Sequence, residues 1–577
     1  MKRVISLALC LILVLSLATV AFADGETHKL TINNATQNHT YEAYQIFAGK
    51  LETITGSDVQ ALTDIQWGSA IVGEGYDHSA ALLAEIHTVA TAAEDESPLK
   101  KLLGTNSAGT LADSIARNIT SDSESLNTLA TIFAKHIETG KNTGTCAYTT
   151  NIVKDDEGKD VDKSYYTISG LTPGYYLVKD KDGSLDEAYD SYTKFILRVI
   201  KDETVAPKSG VPSVNKTIND TIDGTFTEHE DFDINDTVYY KWVGELPGNL
   251  KDYETYFYKF TDTLPTGIEH IGFEQVYLEG RDGNVVHKFY DAAEEIDWPA
   301  GLEHTVDGKN VTLTFENLMT LYPSILPTHK IVVKYSGRVT RDALIAKPMT
   351  NRVYVEFSNN PNWDGTGEEP TGKTPEDVAH AFTFQINVDK YDADDKQKKL
   401  PGAEFILYYE RTENDQVIKY YAQVVTEEMI AAGEVINGTA VDADDLGIVY
   451  AWVTDATKAS VLDTDEKGAI AVRGLDSGIF YLKETKAHAG YNLMETPVEI
   501  EIIPGYTENG DEVSVKVAYK VDNIDQDTNM VGVRNSSGST LPVTGGVGTT
   551  LFYIFGSIMV VGAAVLMITK KRMGAEN

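Results

Sequence analysis

The chain has 577 residues, 87 acidic and 49 basic, for a formal net charge of −38. That balance excludes a nucleic-acid binder, which needs basic stripes, and describes a soluble, self-repelling surface. Its two cysteines, Cys10 and Cys146, exclude a disulfide framework, and a span of about five hundred residues between the two end segments asks for three or four domains, each with its own core.

Residues 1–23 have the layout of an export signal: Met1-Lys2-Arg3, an apolar stretch from Val4 to Val20, then the small-x-small site Ala21-Phe22-Ala23. Cleavage there starts the mature chain at Asp24 and leaves Cys146 as its single cysteine, so mechanical and proteolytic resistance must come from something other than a disulfide.

Residues 24–206 form a first domain of mixed pattern. Strand-like alternation in Leu30 to Asn33 and in Tyr166 to Lys179 brackets a segment from Asp58 to Glu138 that reads as helices. There Ala80 to Ile86 and Leu126 to Ile137 space apolar residues at helical intervals, which predicts a β-domain with a helical insertion. Asp180-x-Asp182-Gly183, with Asp186 and Glu187 beyond, has some features of a metal loop, but its glycine falls too early for an EF-hand, and a solvated turn is the expectation.

The seam from Ala206 to Ser213 carries two prolines and opens a second domain, residues 207–375. Short β-branched and aromatic runs separated by turn clusters, such as Val238-Tyr239-Tyr240, Val311 to Phe315, Lys330 to Val339 and Val353 to Phe357, predict an all-β sandwich. Asn360 to Pro375 reads as a linker, residues 376–534 as another sandwich, and residues 535–577 as a tail that begins with a polar Ser/Gly stalk. The stretch from Gly170 to Asp180 aligns without gaps to that from Gly474 to Glu484, which places an acid at the same point and predicts two related β-modules flanking a different one.

The tail continues with Leu541-Pro542-Val543-Thr544-Gly545, an apolar run from Leu551 to Ile568, and Lys570-Lys571-Arg572. The run is long enough to span a bilayer core as a transmembrane helix, and the cationic cluster holds its end in the cytoplasm. This tripartite arrangement resembles the cell-wall sorting signal of Gram-positive surface proteins. The resemblance implies that a sortase thiol attacks the Thr544-Gly545 bond, discards the membrane helix and passes the acyl group to an amine.

Val388-Asp389-Lys390, Leu400 to Phe405, and Glu484-Thr485-Lys486-Ala487-His488-Ala489-Gly490-Tyr491 resemble the B-type repeat of collagen adhesins, with His488 where proline is usual. Val521-Asp522-Asn523 is similar to its closing strand. The resemblance implies an intramolecular Lys-Asn isopeptide carried by Lys390, Glu484 and Asn523. In the second domain, Val214-Asn215-Lys216, Phe260 to Gly267 and Thr350 to Val355 resemble the A-type counterpart and imply the set Lys216, Asp262 and Asn351, with Asn359 as a rival to Asn351. The first domain offers no such set: its last strand, Lys194 to Lys201, has no asparagine, and Asp180 reads as a vestige or a turn residue.

The chemistry needs these types. A lysine amine attacks only when neutral, and burial favours that form; a buried acid stays protonated and can donate to the carboxamide oxygen as ammonia leaves. Holding amine and amide in contact replaces roughly 7–11 kcal/mol of barrier.

Val205-Ala206-Pro207-Lys208 resembles the pilin motif of polymerised subunits, with Ala206 in place of the usual tyrosine, and implies that Lys208 is the intersubunit acceptor amine; Lys201 is an alternative. As a whole the chain resembles the SpaA-type backbone pilins: mainly β, with tandem immunoglobulin-like sandwiches of collagen-adhesin A and B type. The resemblance implies a structural subunit of a covalent pilus with no cofactor and no metal. Its implied partners are a pilus-assembling class C sortase, a wall-anchoring sortase, identical subunits, peptidoglycan, ancillary pilins and a host surface ligand. The alternative is an ancillary pilin or an anchored monomeric adhesin. A thiol hydrolase built on Cys146 and His136 lacks a third orienting group and an oxyanion-hole motif.

Overall fold

The computed structural model describes residues 27–53, 60–120, 124–154, 159–185, 190–206, 210–361, 363, 369–526, 528–537 and 557–561. The export signal, Lys208 and the motif from Leu541 to Gly545 lie outside the described residues. Among those described, no helix is long and apolar enough to cross a membrane, and the expected span is covered only at Ser557–Val561, which is helical.

The first domain faces two four-stranded sheets against each other. One runs Glu203–Val205, His28–Ile32, Tyr165–Leu171, Thr145–Thr149; the other runs Lys194–Val199, Gly174–Asp180, Tyr41–Thr53, Gln60–Trp67. The helical insertion is present as Ser79–Ala92, Ala108–Asn118 and Glu124–His136, but its predicted start at Asp58 is displaced: Gln60–Trp67 is a strand at the edge of the second sheet. Ser107 caps the middle helix by accepting from the Thr110 amide at 3.3 Å. Leu82, Ile86, Leu111, Leu129 and Phe133 turn inward against Phe47 and Leu177 of the sheet.

The middle domain is an all-β sandwich. A five-stranded sheet runs Ser213–Asn219, Thr237–Glu245, Lys330–Val339, Ile268–Glu279, Val285–Asp291. The opposing sheet contains, among other strands, Tyr258–Thr263 beside Met349–Ser358 and, beside that, Asp377–Phe382. Alternation explains the burial: Val238, Tyr240 and Trp242 face the core from one strand, and Val353, Val355 and Phe357 from another. Two boundaries differ from the sequence reading. Thr371–Lys373, inside the expected linker, pairs with the strand Met349–Ser358; and Asp377–Phe382 belongs to the middle sandwich, where it is buried between Met349–Ser358, antiparallel to it, and His229–Asp231, parallel to it.

The third domain opens at Phe384–Asp392, which lies between Ala469–Leu475 and Met530–Asn535 in a three-stranded sheet. Across the core lies a larger sheet in which Glu404–Glu413 pairs with Gly478–Lys486. The closing strand Met530–Asn535 is parallel to the opening one, with Lys390 opposite Val533. Residue 535 therefore ends the domain; the polar stalk begins after it.

Candidate functional site: two buried amine, acid and amide sets

Lys216, Asp262 and Asn351 are each fully buried. Lys216 comes from the first strand of the five-stranded sheet, while Asp262 and Asn351 come from neighbouring strands of the facing one, where Asp262 is opposite Val353. The Lys216 ammonium nitrogen is paired with Asp262 Oδ2 and lies 3.3 Å from the Tyr335 hydroxyl. Trp242 Nε1 and the Tyr335 hydroxyl also donate to Asp262 Oδ2, at 2.9 and 3.1 Å, and Asn351 Nδ2 donates to the same hydroxyl at 2.6 Å. Tyr335 thus ties the acid to the amide.

Burial among the Tyr240, Trp242 and Tyr335 rings lowers the Lys216 amine to about 8 despite the adjacent carboxylate. Burial raises Asp262, with Lys216 opposing the shift. Asp262 Oδ1 and Asn351 Oδ1 are both buried without a hydrogen-bond partner. A neutral amine, a protonated acid and an amide oxygen free to accept make up the reactive microstate that amide transfer requires. Asn359, the rival to Asn351, instead sits where the middle domain meets the first: its carbonyl accepts from the Tyr192 amide at 2.7 Å.

In the third domain Lys390 Nζ is 2.5 Å from Asn535 Oδ1 and 3.0 Å from Glu484 Oε1. Asn535 Nδ2 donates to both Glu484 oxygens, at 2.9 and 3.0 Å, and to the Asn492 carbonyl at 2.9 Å. The Met494 amide anchors Glu484 Oε2 at 2.8 Å. Burial lowers the Lys390 amine below the usual lysine range, with Glu484 opposing. The Phe405 ring, 5.2 Å from Nζ, forms part of the apolar wall.

The expectation for Asn523 is corrected here. Asp522 and Asn523 both have left-handed backbone, at φ 47° and 63°, and form the tight turn between Glu512–Val521 and Ile524–Gln526. Asn523 is exposed and reaches only Glu499, at 3.4 Å. Asn535 takes its place beside Lys390 and Glu484. The available signal was the alternation Val531, Val533, Asn535 on the inward face of a final strand, Met530–Asn535, that lies beyond the expected closing strand Val521-Asp522-Asn523 and ends where the stalk was expected to begin.

In the first domain the position that corresponds to Lys390 holds no lysine. Leu30 pairs with Ile168 as Ile386 pairs with Val472, so the Gly170 and Gly474 stretches superimpose and Asn34 takes the register position of Lys390. Its Nδ2 donates to the Tyr41 hydroxyl at 2.9 Å. Asp180, corresponding to Glu484, is fully buried rather than a solvated turn residue. His39 bridges it to Asp190, with Nδ1 2.8 Å from Asp180 and Nε2 2.8 Å from Asp190. The candidate metal loop fares accordingly: Asp180 is taken by His39 and Thr193, Asp186 and Glu187 lie outside the described residues, and no metal-holding cluster occurs among those described.

Lys208 falls between Glu203–Val205, the last strand of the first domain, and Ser213–Asn219, the first of the next, and Lys201 is exposed. His136 pairs with Glu85 at 2.6 Å, and Cys146 lies on the strand Thr145–Thr149, half-buried, with its thiol raised by burial.

Comparison with known proteins adds to this geometry. A model described as the SpaA prealbumin-like fold domain matches residues 384–520, and one described as the LPXTG cell wall anchor motif matches residues 534–573. The trypsin-resistant surface T6 protein of Streptococcus pyogenes serotype M6 is 23% identical over 403 residues, covering 64% of this chain and 70% of that protein. Similar solved structures include the T6 backbone pilin of serotype M6 Streptococcus pyogenes, at 15% identity and TM-score 0.43 over 90% of this chain and 100% of that one. The full-length major pilin RrgB from Streptococcus pneumoniae aligns at 14% identity and TM-score 0.38 over 68% of this chain and 93% of that one. The chain is a cell-wall-anchored surface protein that carries a SpaA-type prealbumin-like domain and is homologous to the streptococcal T6 protein.

Proposed function

We propose that the chain is the backbone subunit of a covalent pilus and forms two intramolecular isopeptide bonds, Lys216 to Asn351 and Lys390 to Asn535. The observation that carries this reading is the buried contact of Lys390 with Asn535 and Glu484, at the two ends of a domain that leads directly into an anchor motif. In each bond the neutral amine nitrogen attacks the asparagine carboxamide carbon while the acid, Asp262 or Glu484, gives its proton to the carboxamide oxygen. The attack forms the new C–N bond; collapse of the adduct then breaks the bond to the amide nitrogen, which leaves as ammonia with the proton lost by lysine, while the oxygen returns its proton to the acid. No oxidant or cofactor enters the balance.

A sortase then cleaves between Thr544 and Gly545 and transfers the Thr544 acyl group to Lys208 of an identical subunit, or to peptidoglycan for the last one. The membrane-held precursor, the class C and wall-anchoring sortases, the ancillary pilins and a host ligand are parts of this reading. The test is an immunoblot of enzymatically released wall material, boiled in detergent, from cells producing the parent chain or Lys208→Ala. A high-mass ladder that collapses to monomer in the variant supports the reading. A ladder in both moves the acceptor to another lysine, such as Lys201; monomer in both, with the sortases present, supports an anchored adhesin.

A further inference from the structure

The joint between the middle and third domains is built around carboxyl groups. The loop from Asp231 to Asp236 of the middle domain grips the turn from Gly474 to Ser477 of the third. Asp233 Oδ1 accepts from the Asp476 amide at 2.8 Å, and Asp231 Oδ2 from the Ser477 amide at 2.9 Å. The outer oxygens are also used: Asp233 Oδ2 accepts from Trp452 Nε1 at 2.8 Å, and Asp231 Oδ1 from the Tyr506 hydroxyl at 3.1 Å. Between them the Ile234 amide donates to the Gly474 carbonyl at 3.1 Å. Gly474 has φ +79°, and a Cβ there would come within 2.3 Å of Ile234 Cδ1, so no larger residue allows this approach.

The Ser477 amide also donates to Asp476 Oδ1 at 2.6 Å, so the Asp476 and Asp231 carboxyl groups crowd around one N–H. Two carboxylates held so close in a buried joint repel each other; a carboxylic acid beside a carboxylate does not. The groups facing the pair are themselves acidic or neutral. Asp233, Asp236, Glu230 and Asp220 come from the middle domain and Tyr506 from the third, while His229, whose ring lies 4.0 Å from that of Tyr506, is 3.6 Å from Glu508 at the rim. Burial lowers His229 and so favours its neutral form.

We propose that this joint is a proton-locked coupling, in which one proton shared by Asp231 and Asp476 holds the loop on the turn and its loss loosens the two domains from each other.

Burial and the neighbouring carboxylates raise Asp476 far above the usual carboxylate range, and they raise Asp233 to about 7. The docked joint therefore binds more protons than the undocked one, so acid favours docking. The stabilisation is complete below the ordinary aspartate range and declines as the pH rises through neutrality. The coupling is independent of the isopeptide bonds and of the pilus reading.

The experiment is hydrogen–deuterium exchange of the full extracellular chain at pH 5 and pH 8, corrected for intrinsic rates and read on the peptide containing Gly474 to Ser477. The parent is expected to lose ~10-fold protection between the two conditions, and Asp476→Asn, which keeps the shape without the titration, less than ~2-fold. Asp231→Asn is the reciprocal variant and carries the same expectation should Asp476→Asn fail to fold. Equal protection of the parent at both pH values overturns the proposal, as does the same loss in parent and variants. Millimolar calcium that restores protection to the parent at pH 8 also overturns it, because the carboxyls would then form a cation site.

Discussion

Lys390 and Asn535 are separated by 145 positions, yet the amine nitrogen of one lies 2.5 Å from the carboxamide oxygen of the other. A lysine in a dry pocket normally costs stability unless a partner compensates it, and here the partners are one acid and one amide. Closing the proposed bond between the parallel first and last strands would convert a costly buried polar cluster into a covalent staple.

The first prediction separates Asn535 from Asn523. After correction for the substitution, intact Asn535→Ala should be heavier than the parent by one ammonia, with the excess in peptides holding unlinked Lys390. Asn523→Ala should show no difference, since its side chain sits in an exposed turn. The reverse pattern would return the bond to Asn523.

The second concerns the two acids. Glu484→Ala should abolish the cross-link of the third domain alone, and Asp262→Ala that of the middle domain alone, each leaving one ammonia unreleased. The third domain also loses the Met494 bond to Glu484, and the middle domain the Trp242 and Tyr335 bonds to Asp262. Leaving Lys216 uncompensated costs that sandwich about 3–5 kcal/mol on top of the lost staple. Mapping of linked peptides with thermal unfolding checks both parts; loss of both links in either variant would refute independent sites.

A third prediction follows from the Lys216 amine, lowered by burial to about 8. The reacting species is the neutral amine beside a protonated Asp262, so the bond in the middle domain should form faster as the pH rises toward about 8 and slow at higher pH, once Asp262 has lost its proton. Between about pH 8 and 10.5 Lys216 in the folded precursor holds fewer protons than in the unfolded chain, so its contribution to stability rises with pH there. The readout is ammonia loss in freshly translated chain held at graded pH; a rate that falls between pH 6 and 8 would contradict the assignment of Lys216 as nucleophile.

How far these sites were legible varies with what each signal encodes. Lys216, Asp262, Lys390 and Glu484 were implied by resemblance to collagen-adhesin motifs rather than by periodicity, which shows only that a position faces inward. Asn535 was masked, despite the alternation Val531, Val533, Asn535, because a polar Ser/Gly run follows it and hides the last inward position of Met530–Asn535. Asn523 misled because asparagine is equally at home in a left-handed turn and at a strand end. The helical insertion announced itself by its 3.6-residue spacing, whereas Asp377–Phe382 was assigned to the wrong sandwich because apolar alternation does not say which sheet a strand joins. The bridge from His39 to Asp180 and Asp190 left no local trace: its members are brought together over separations of 141 and 151 positions.

That bridge carries the last prediction. Burial alone would lower the His39 imidazole, but the hydrogen bonds and charges of Asp180 and Asp190 outweigh it and hold the group at about 9. His39 is therefore a buried cation between two carboxylates, an ion clasp in the first domain at the place where the third has Lys390, Glu484 and Asn535. A raised folded value means that its contribution is complete below about pH 6.5 and is lost as the pH rises through about 9. His39→Ala strands two buried carboxylates and should cost the first domain about 3–5 kcal/mol. The middle and third domains should be untouched, which scanning calorimetry can resolve as a shift confined to one transition. In the proposed polymer, donor Thr544 and acceptor Lys208 both fall outside the strands of residues 28–205, so tension would bypass this domain and a reversible clasp would suffice there. Wall polymers of His39→Ala should accordingly stay intact in boiling detergent while the first domain becomes susceptible to protease; a shortened ladder would show that the first domain bears load after all.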